Sequence, residues 1–169
     1  MTADRARTTA LAELYALHAP KAGRLAYLLT GNRELAEDLV QDAFVRVAGR
    51  FGGLRSPESF EAYLRKTVVN LSRGHWRRQS TERRYLRSHG RRGALVSAEI
   101  PDVASHRAIV QALANLTDRQ RAAIVLRYYE DLTEQQTADV IGCSLGTVKS
   151  LVSRGMTTLR AEIKSEDHR

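Results

Sequence analysis

A short turn between two helix-forming segments constrains the fold of this chain most strongly. The segments Thr133 to Ile141 and Leu145 to Arg154 both carry apolar residues at helical spacing. Gly142 lies between them, where a sharp turn between helices requires a positive φ angle. This pattern predicts a helix-turn-helix, a unit that reads duplex DNA. The alternative is an ordinary surface helix in an all-helical domain.

The second helix of this unit has two chemically different faces. One face is an apolar stripe that we expect to pack inward: Leu145, Val148, Val152, Met156 and Leu159. The opposite face carries small polar residues and one arginine: Thr147, Ser150, Arg154 and Thr157. Such side chains allow close approach to base edges in the major groove, whereas Lys149, on the flank, suits phosphate. Two capping boxes, Thr117 with Gln120 and Thr133 with Gln136, predict the starts of the two preceding helices.

The charge of the chain indicates a polyanionic partner. Its 169 residues carry a net charge of +8, mostly from arginine, whose guanidinium group suits phosphate and guanine. We find no apolar run of transmembrane length, signal peptide or lipid-anchor motif, so we expect a cytoplasmic protein without membrane insertion. The single Cys143 cannot form an internal disulfide, and we expect it to fill the turn as a small apolar side chain.

Helical periodicity covers nearly the whole chain and predicts an all-α protein of two small domains. We expect the first domain at residues 1–78, a flexible basic linker at 79–104 and the second domain at 105–169. The predicted helices run from Thr8 to Leu29 with a bend at Pro20, from Glu34 to Arg50, from Ser56 to Arg78, and from Asp118 to Glu130, ahead of the helix-turn-helix.

The helix from Glu34 is acidic on its outer arc, which carries Glu34, Glu37, Asp38, Gln41 and Asp42. Acids near a helix N-terminus complement the helix dipole, and that alone accounts for Glu34 and Glu37. Asp42 lies too far along the helix for this effect. The open alternative is that the arc docks on a protein that carries basic groups.

The helix from Glu58 presents the opposite charge. Its outer face carries Lys66, Asn70, Arg73 and Arg77 at helical spacing, with Tyr63 and Trp76 at its borders. Cations beside an amide and exposed aromatic rings suit single-stranded nucleic acid, because the rings stack on unpaired bases. The competing interpretation is a solvated basic face with Trp76 in the core.

Three segments in order resemble the extracytoplasmic-function (ECF) sigma factors, the small two-domain subunits that direct bacterial RNA polymerase to promoters. These segments are Ala36 to Phe44, Ser59 to Leu71, and Leu116 to Tyr128 leading into the helix-turn-helix. The resemblance covers most of the chain. The arginine-rich composition and the segment Leu28 to Asn32 are similar to the actinobacterial, SigE-like subgroup.

The resemblance implies a role for each surface. The acidic helix would bind the clamp of the polymerase largest subunit through Asp38, Leu39, Gln41, Asp42 and Phe44. Melted DNA of the −10 element would meet the loop Phe51 to Ser59 and the residues Tyr63, Lys66, Asn70, Arg73, Trp76 and Arg77. A base flipped out of the stack must be held by hydrogen bonds to its edges, and the amide of Asn70 suits that. The −35 duplex would meet Thr147, Lys149, Ser150, Ser153 and Arg154.

The resemblance implies core RNA polymerase and promoter DNA as partners, with an anti-sigma factor as a further partner in many members of the family. We expect a monomer when free, no cofactor and no metal. One rival is a stand-alone helix-turn-helix regulator, which leaves the acidic helix and the Asn70 face unexplained. A second rival is a nucleic-acid-processing enzyme, which requires a catalytic constellation. The histidines are scattered without ligand spacing: His18, His75, His89, His106 and His168.

Overall fold

The computed structural model describes residues 2–50, 56–87 and 104–166, and within these ranges the chain is helical without strands. The seven α-helices are α1 (Thr2–Thr30), α2 (Arg33–Ala48), α3 (Pro57–Arg87), α4 (Ala104–Ala114), α5 (Asp118–Ile124), α6 (Glu134–Ile141) and α7 (Leu145–Glu166). The predicted all-α fold is confirmed. No helix among these is both long enough and apolar enough to cross a membrane.

Helices α1, α2 and α3 form the first domain, and their junctions follow from local sequence. Gly31 ends α1 with a φ of 67°, a left-handed conformation that glycine adopts without strain. Asn32 then caps α2, because its side chain accepts a 3.0 Å hydrogen bond from the backbone N–H of Leu35. Phe44 and Phe60 meet in the core with ring centroids 5.8 Å apart.

Helix α3 continues to Arg87, so the prediction that it ends by Arg78 is wrong, and residues 79–87 of the predicted linker are helical. The sequence loses its apolar stripe after Trp76, and that loss predicted the end of the helix. Arginine, glutamine and glutamate nevertheless have high helix propensity, so a polar segment can extend a helix that is already nucleated. The rest of the predicted flexible linker lies outside the described residues, apart from Ala104, the first residue of α4.

Both predicted capping boxes are formed in the second domain, which comprises α4 to α7. The Thr117 hydroxyl accepts from the Gln120 backbone N–H at 3.2 Å, and the Thr133 hydroxyl accepts from that of Gln136 at 3.1 Å. Gly142 adopts a φ of 75°, which allows the sharp turn between α6 and α7. The predicted helix-turn-helix is therefore present.

Two local features of this domain differ from the prediction. The helix from Asp118 does not stay α-helical to Glu130. Residues Val125–Tyr129 form a π-helical turn, in which the Glu130 N–H donates to the Val125 carbonyl at 3.1 Å. In α7, Val148 is fully buried, but Leu145 is 39% exposed and does not belong to the packed stripe. Gly155 permits a close approach between α7 and α5, since a Cβ there would lie 2.5 Å from Ile124 Cδ1.

The two domains pack against each other. Buried residues of α1, α2 and α3 form one continuous hydrophobic cluster with those of α4, α5, α6 and the π-helical turn. Several polar contacts cross the same boundary, and they involve residues of the predicted DNA-binding surface.

Candidate polymerase and DNA interfaces

The acidic arc of α2 is exposed as predicted. Glu34, Glu37, Asp38, Gln41 and Asp42 all face solvent. Two of these acids pair within the helix, Glu37 with Arg33 at 3.2 Å and Asp42 with Arg46 at 3.4 Å. Exposed pairs at this spacing contribute only about 0.3–0.5 kcal/mol, so the acids remain available to a partner.

Leu39 and Phe44, which were predicted to bind polymerase, point inward instead. Leu39 is 9% exposed and Phe44 is 5% exposed. The ring of Phe44 packs edge-on against Tyr15, with centroids 4.7 Å apart, and also against Phe60. These two side chains hold α2 in the bundle and so set the direction of the acidic arc. Val45, four residues after Gln41 on the same helix, is 71% exposed.

The basic face of α3 is only partly free. Lys66, Asn70 and Arg77 are exposed, as predicted. Arg73 is half-buried, and its Nη1 donates a 2.7 Å hydrogen bond to the carbonyl of Ile141, the last residue of α6. Burial is the largest influence on this group and lowers the pKa of Arg73 from its usual value. The prediction that Arg73 shares one free outer face with its neighbours is therefore wrong for this conformation.

The two aromatic residues that border this face also have intramolecular partners. Trp76 is half-buried, and its Nε1 donates to the Leu29 carbonyl at 3.0 Å. The guanidinium of Arg121 lies over the Trp76 ring, 4.4 Å from the centroid. The Tyr63 hydroxyl accepts a hydrogen bond from Arg50 Nη1. The neighbouring loop, Phe51 to Ser59, which was predicted to capture a flipped base, lies largely outside the described residues.

The outer face of α7 presents the predicted DNA-reading residues. Lys149, Ser150, Ser153 and Arg154 are exposed, and Lys149 is 3.8 Å from a carboxylate oxygen of Glu134. Thr147 is half-buried, and its hydroxyl shares a 2.8 Å hydrogen bond with that of Ser144. Ser144 also accepts from the Thr147 backbone N–H at 3.2 Å, so this pair stabilises the start of α7. The role of Ser144 was missed, although a serine directly before a helix is a signal for such a cap.

Sequence reasoning also missed Arg121, which is 3% exposed. Its guanidinium donates to the carbonyls of Leu113 (2.8 Å), Ala114 (3.3 Å) and Leu116 (3.1 Å) at the end of α4, and to that of Leu29 (2.8 Å) near the end of α1. Burial lowers the pKa of Arg121. Helix C-termini carry partial negative charge, so two of them stabilise this buried cation without a hydrogen-bonded carboxylate.

The chain combines a helix-turn-helix, a unit that binds duplex DNA, with a charged three-helix bundle, and comparison with known proteins specifies the family. Residues 14–82 match the family model for sigma-70 region 2, and residues 106–159 match that for sigma-70 region 4. The RNA polymerase sigma-E factor of Streptomyces avermitilis is 33% identical over 132 residues, which are 78% of this chain and 73% of that protein. The ECF RNA polymerase sigma factor SigE of Mycolicibacterium smegmatis is 34% identical over 94% of this chain and 63% of its own length.

Solved structures show the same fold. The sigma factor RpoE from Bartonella quintana, in complex with the anti-sigma factor NepR, matches with a TM-score of 0.71 at 24% identity over 89% of this chain and 94% of that one. CnrH in complex with the cytosolic domain of CnrY matches with a TM-score of 0.64 at 21% identity, over 94% of this chain and 90% of that one. The chain belongs to the ECF family of RNA polymerase sigma factors, which direct transcription initiation.

Proposed function

We propose that this chain binds core RNA polymerase through the acidic arc of α2, captures melted −10 DNA on α3 and reads the −35 duplex with α7. The observation that carries the proposal is the contrast between adjacent helices of one small domain. Helix α2 exposes acids in a strongly basic protein, whereas α3 exposes Lys66, Asn70 and Arg77. One domain therefore offers a surface for a basic protein and another for nucleic acid.

The exposed residues of α7 support the third part of the proposal. Arg154 can present two donors to a guanine edge, and Ser150 and Ser153 leave room for the helix to enter the major groove. Thr147, which we also assign to the −35 duplex, shares a hydrogen bond with Ser144 at the start of α7, and its hydroxyl keeps further hydrogen-bonding capacity. The rival function, a stand-alone helix-turn-helix regulator, requires α7 but not the acidic arc.

The test is binding to purified core polymerase. Asp38→Lys combined with Asp42→Lys should abolish co-purification with the core enzyme, because it places like charges against a basic surface. The matched control is Glu13→Lys with Glu82→Lys, which makes the same change in net charge at exposed positions of α1 and α3. Equal helicity by circular dichroism shows that both variants fold. Undiminished binding by the Asp38 and Asp42 variant would refute the assignment and favour the stand-alone regulator.

We propose one further partner and one cellular location from family membership. We propose an anti-sigma factor as a regulatory partner, since the solved relatives RpoE and CnrH are complexes, the first with a protein named as an anti-sigma factor. We also propose that the working protein is cytoplasmic, because its proposed partners, core RNA polymerase and promoter DNA, are found there. Co-purification of the tagged chain from cells, followed by mass spectrometry, identifies such a partner by its stoichiometric recovery.

A further inference from the structure

Arginines of each domain bind the helix ends of the other. Arg121 of the second domain donates to the Leu29 carbonyl near the end of α1, and Arg73 of the first domain donates to the Ile141 carbonyl at the end of α6. The last carbonyls of a helix have no partner within it and carry partial negative charge. Arg73 satisfies the Ile141 carbonyl, and Arg121 gives the Leu29 carbonyl a second donor beside Trp76 Nε1. This reciprocal arrangement specifies one orientation of the two domains.

A buried ion pair lies at the other side of the same boundary. The carboxylate of Glu130, directly after the π-helical turn, is 2% exposed and accepts a 2.7 Å hydrogen bond from Arg65 Nε of α3. Lys21 of α1 lies 3.9 Å from the same carboxylate, so Glu130 faces two cations of the first domain. Nearby, Arg24 Nε donates to the Tyr129 hydroxyl at 3.1 Å. A carboxylate this deeply buried would lose its charge-assisted hydrogen bond from Arg65 and its ion pair with Lys21 if the domains separated.

These contacts occupy part of the surface that we assign to melted DNA. Arg73 is held by Ile141, and Arg121 lies over the Trp76 ring. A phosphate could not accept a hydrogen bond from the Arg73 N–H that already donates to the Ile141 carbonyl. A base could not stack on the face of the Trp76 ring that Arg121 covers. Lys66, Asn70 and Arg77 remain exposed, so the closed arrangement leaves an incomplete surface.

We infer that the free chain is self-closed by a latch formed by Arg121, Glu130 and Arg73 with their partners in the opposite domain, and that this latch competes with binding of unpaired DNA to α3. The occupant of the Arg73 and Trp76 surface is thus the chain's own second domain. The existence of the latch does not depend on the proposed function. The effect of the latch on DNA binding rests on the proposed role of α3.

Charge exchange across the buried pair tests the latch. Glu130→Arg places a third cation against Arg65 and Lys21, and Arg65→Glu places a second carboxylate against Glu130. Each variant should raise the ratio of open to closed molecules by about tenfold or more, a size typical of coupling between sites. The double variant restores opposite charges and should close the chain again. Glu82→Arg, at an exposed position of α3, is the matched control.

Two readouts follow the domains directly. Spin labels on cysteines introduced at Ala12 and Ala161, in a Cys143→Ser background, report the distance between α1 and α7, both positions being exposed. Trp76 is the only tryptophan of the chain, so its emission and its quenching by acrylamide report the removal of Arg121 from its ring. We expect one narrow distance distribution in the unaltered chain and in the double variant. Each single variant should give longer, broader distances with red-shifted and more strongly quenched emission.

Binding to a labelled pool of short single-stranded DNA of random sequence completes the test. Because the measured affinity scales with the competent fraction, the single variants should bind more tightly by the same factor by which the open fraction rises. A broad distance distribution in the unaltered chain, or single variants that stay closed while folded, would overturn the latch. If one single variant fails to fold, the other still tests it from the opposite domain. Open variants that bind no single-stranded DNA would refute the proposed role of α3 and leave the latch intact.

Discussion

Replacement of Arg121 by methionine removes the buried guanidinium and keeps a side chain of similar length. Four hydrogen bonds to carbonyls and the contact with the Trp76 ring are lost. A hydrogen bond from a charged group contributes roughly 1.5–3 kcal/mol, and a desolvated cation over an aromatic ring roughly 2 kcal/mol. The cost of burying the charge, which also lowers the pKa of Arg121, offsets much of this sum.

We therefore expect Arg121→Met to lower the free energy of unfolding by about 3 kcal/mol, well below the sum of the separate contacts. The assay is urea denaturation followed by circular dichroism. Arg119→Met is the matched control, because Arg119 lies on the same helix but is exposed, and its loss should change stability by less than about 0.5 kcal/mol. If Arg121→Met is as stable as this control, the buried arginine does not hold the helix ends together.

The remaining predictions concern the first domain. Phe44→Ala should lower the free energy of unfolding by about 3–5 kcal/mol in urea denaturation, because Phe44 is a core residue. If the variant loses polymerase binding without this loss of stability, Phe44 does not act as a buried core residue. The hydrogen bond from Lys21 is the main cause that lowers the pKa of Glu61, with Arg65 adding to it. The stability that Glu61 contributes is thus present above its unfolded pKa and is lost as pH falls through the lower folded pKa. Glu61→Gln should therefore weaken the fall in the free energy of unfolding at acidic pH. An unchanged fall would show that the pair of Glu61 with Lys21 contributes nothing.

Features that depend on local sequence were predicted correctly. The capping boxes at Thr117 and Thr133 and the left-handed Gly142 each require only a few neighbouring residues, and all three are present. These features were sufficient to predict the helical fold, the helix-turn-helix and the exposed acidic arc.

Features that depend on long-range contacts were not predicted. Arginine and glutamate are expected at the surface, so nothing local indicates that Arg121 and Glu130 are buried. Their partners, Leu29 and Arg65, lie in the other domain. The same reason explains the partial burial of Arg73, whose spacing on α3 matches that of its exposed neighbours.

In vitro transcription from a promoter that this chain recognises tests the central claim most directly. The reaction contains purified core polymerase and a template that is either fully duplex or already unpaired across the −10 element. Arg154→Ala should weaken recruitment to duplex −35 DNA by about 1–3 kcal/mol and relax its sequence preference. Asn70→Ala should spare that recruitment and impair open-complex formation, with the loss shrinking on the unpaired template. If Asn70→Ala weakens duplex −35 binding as much as Arg154→Ala does, and the unpaired template rescues neither variant, the proposed division of labour between the two domains is wrong.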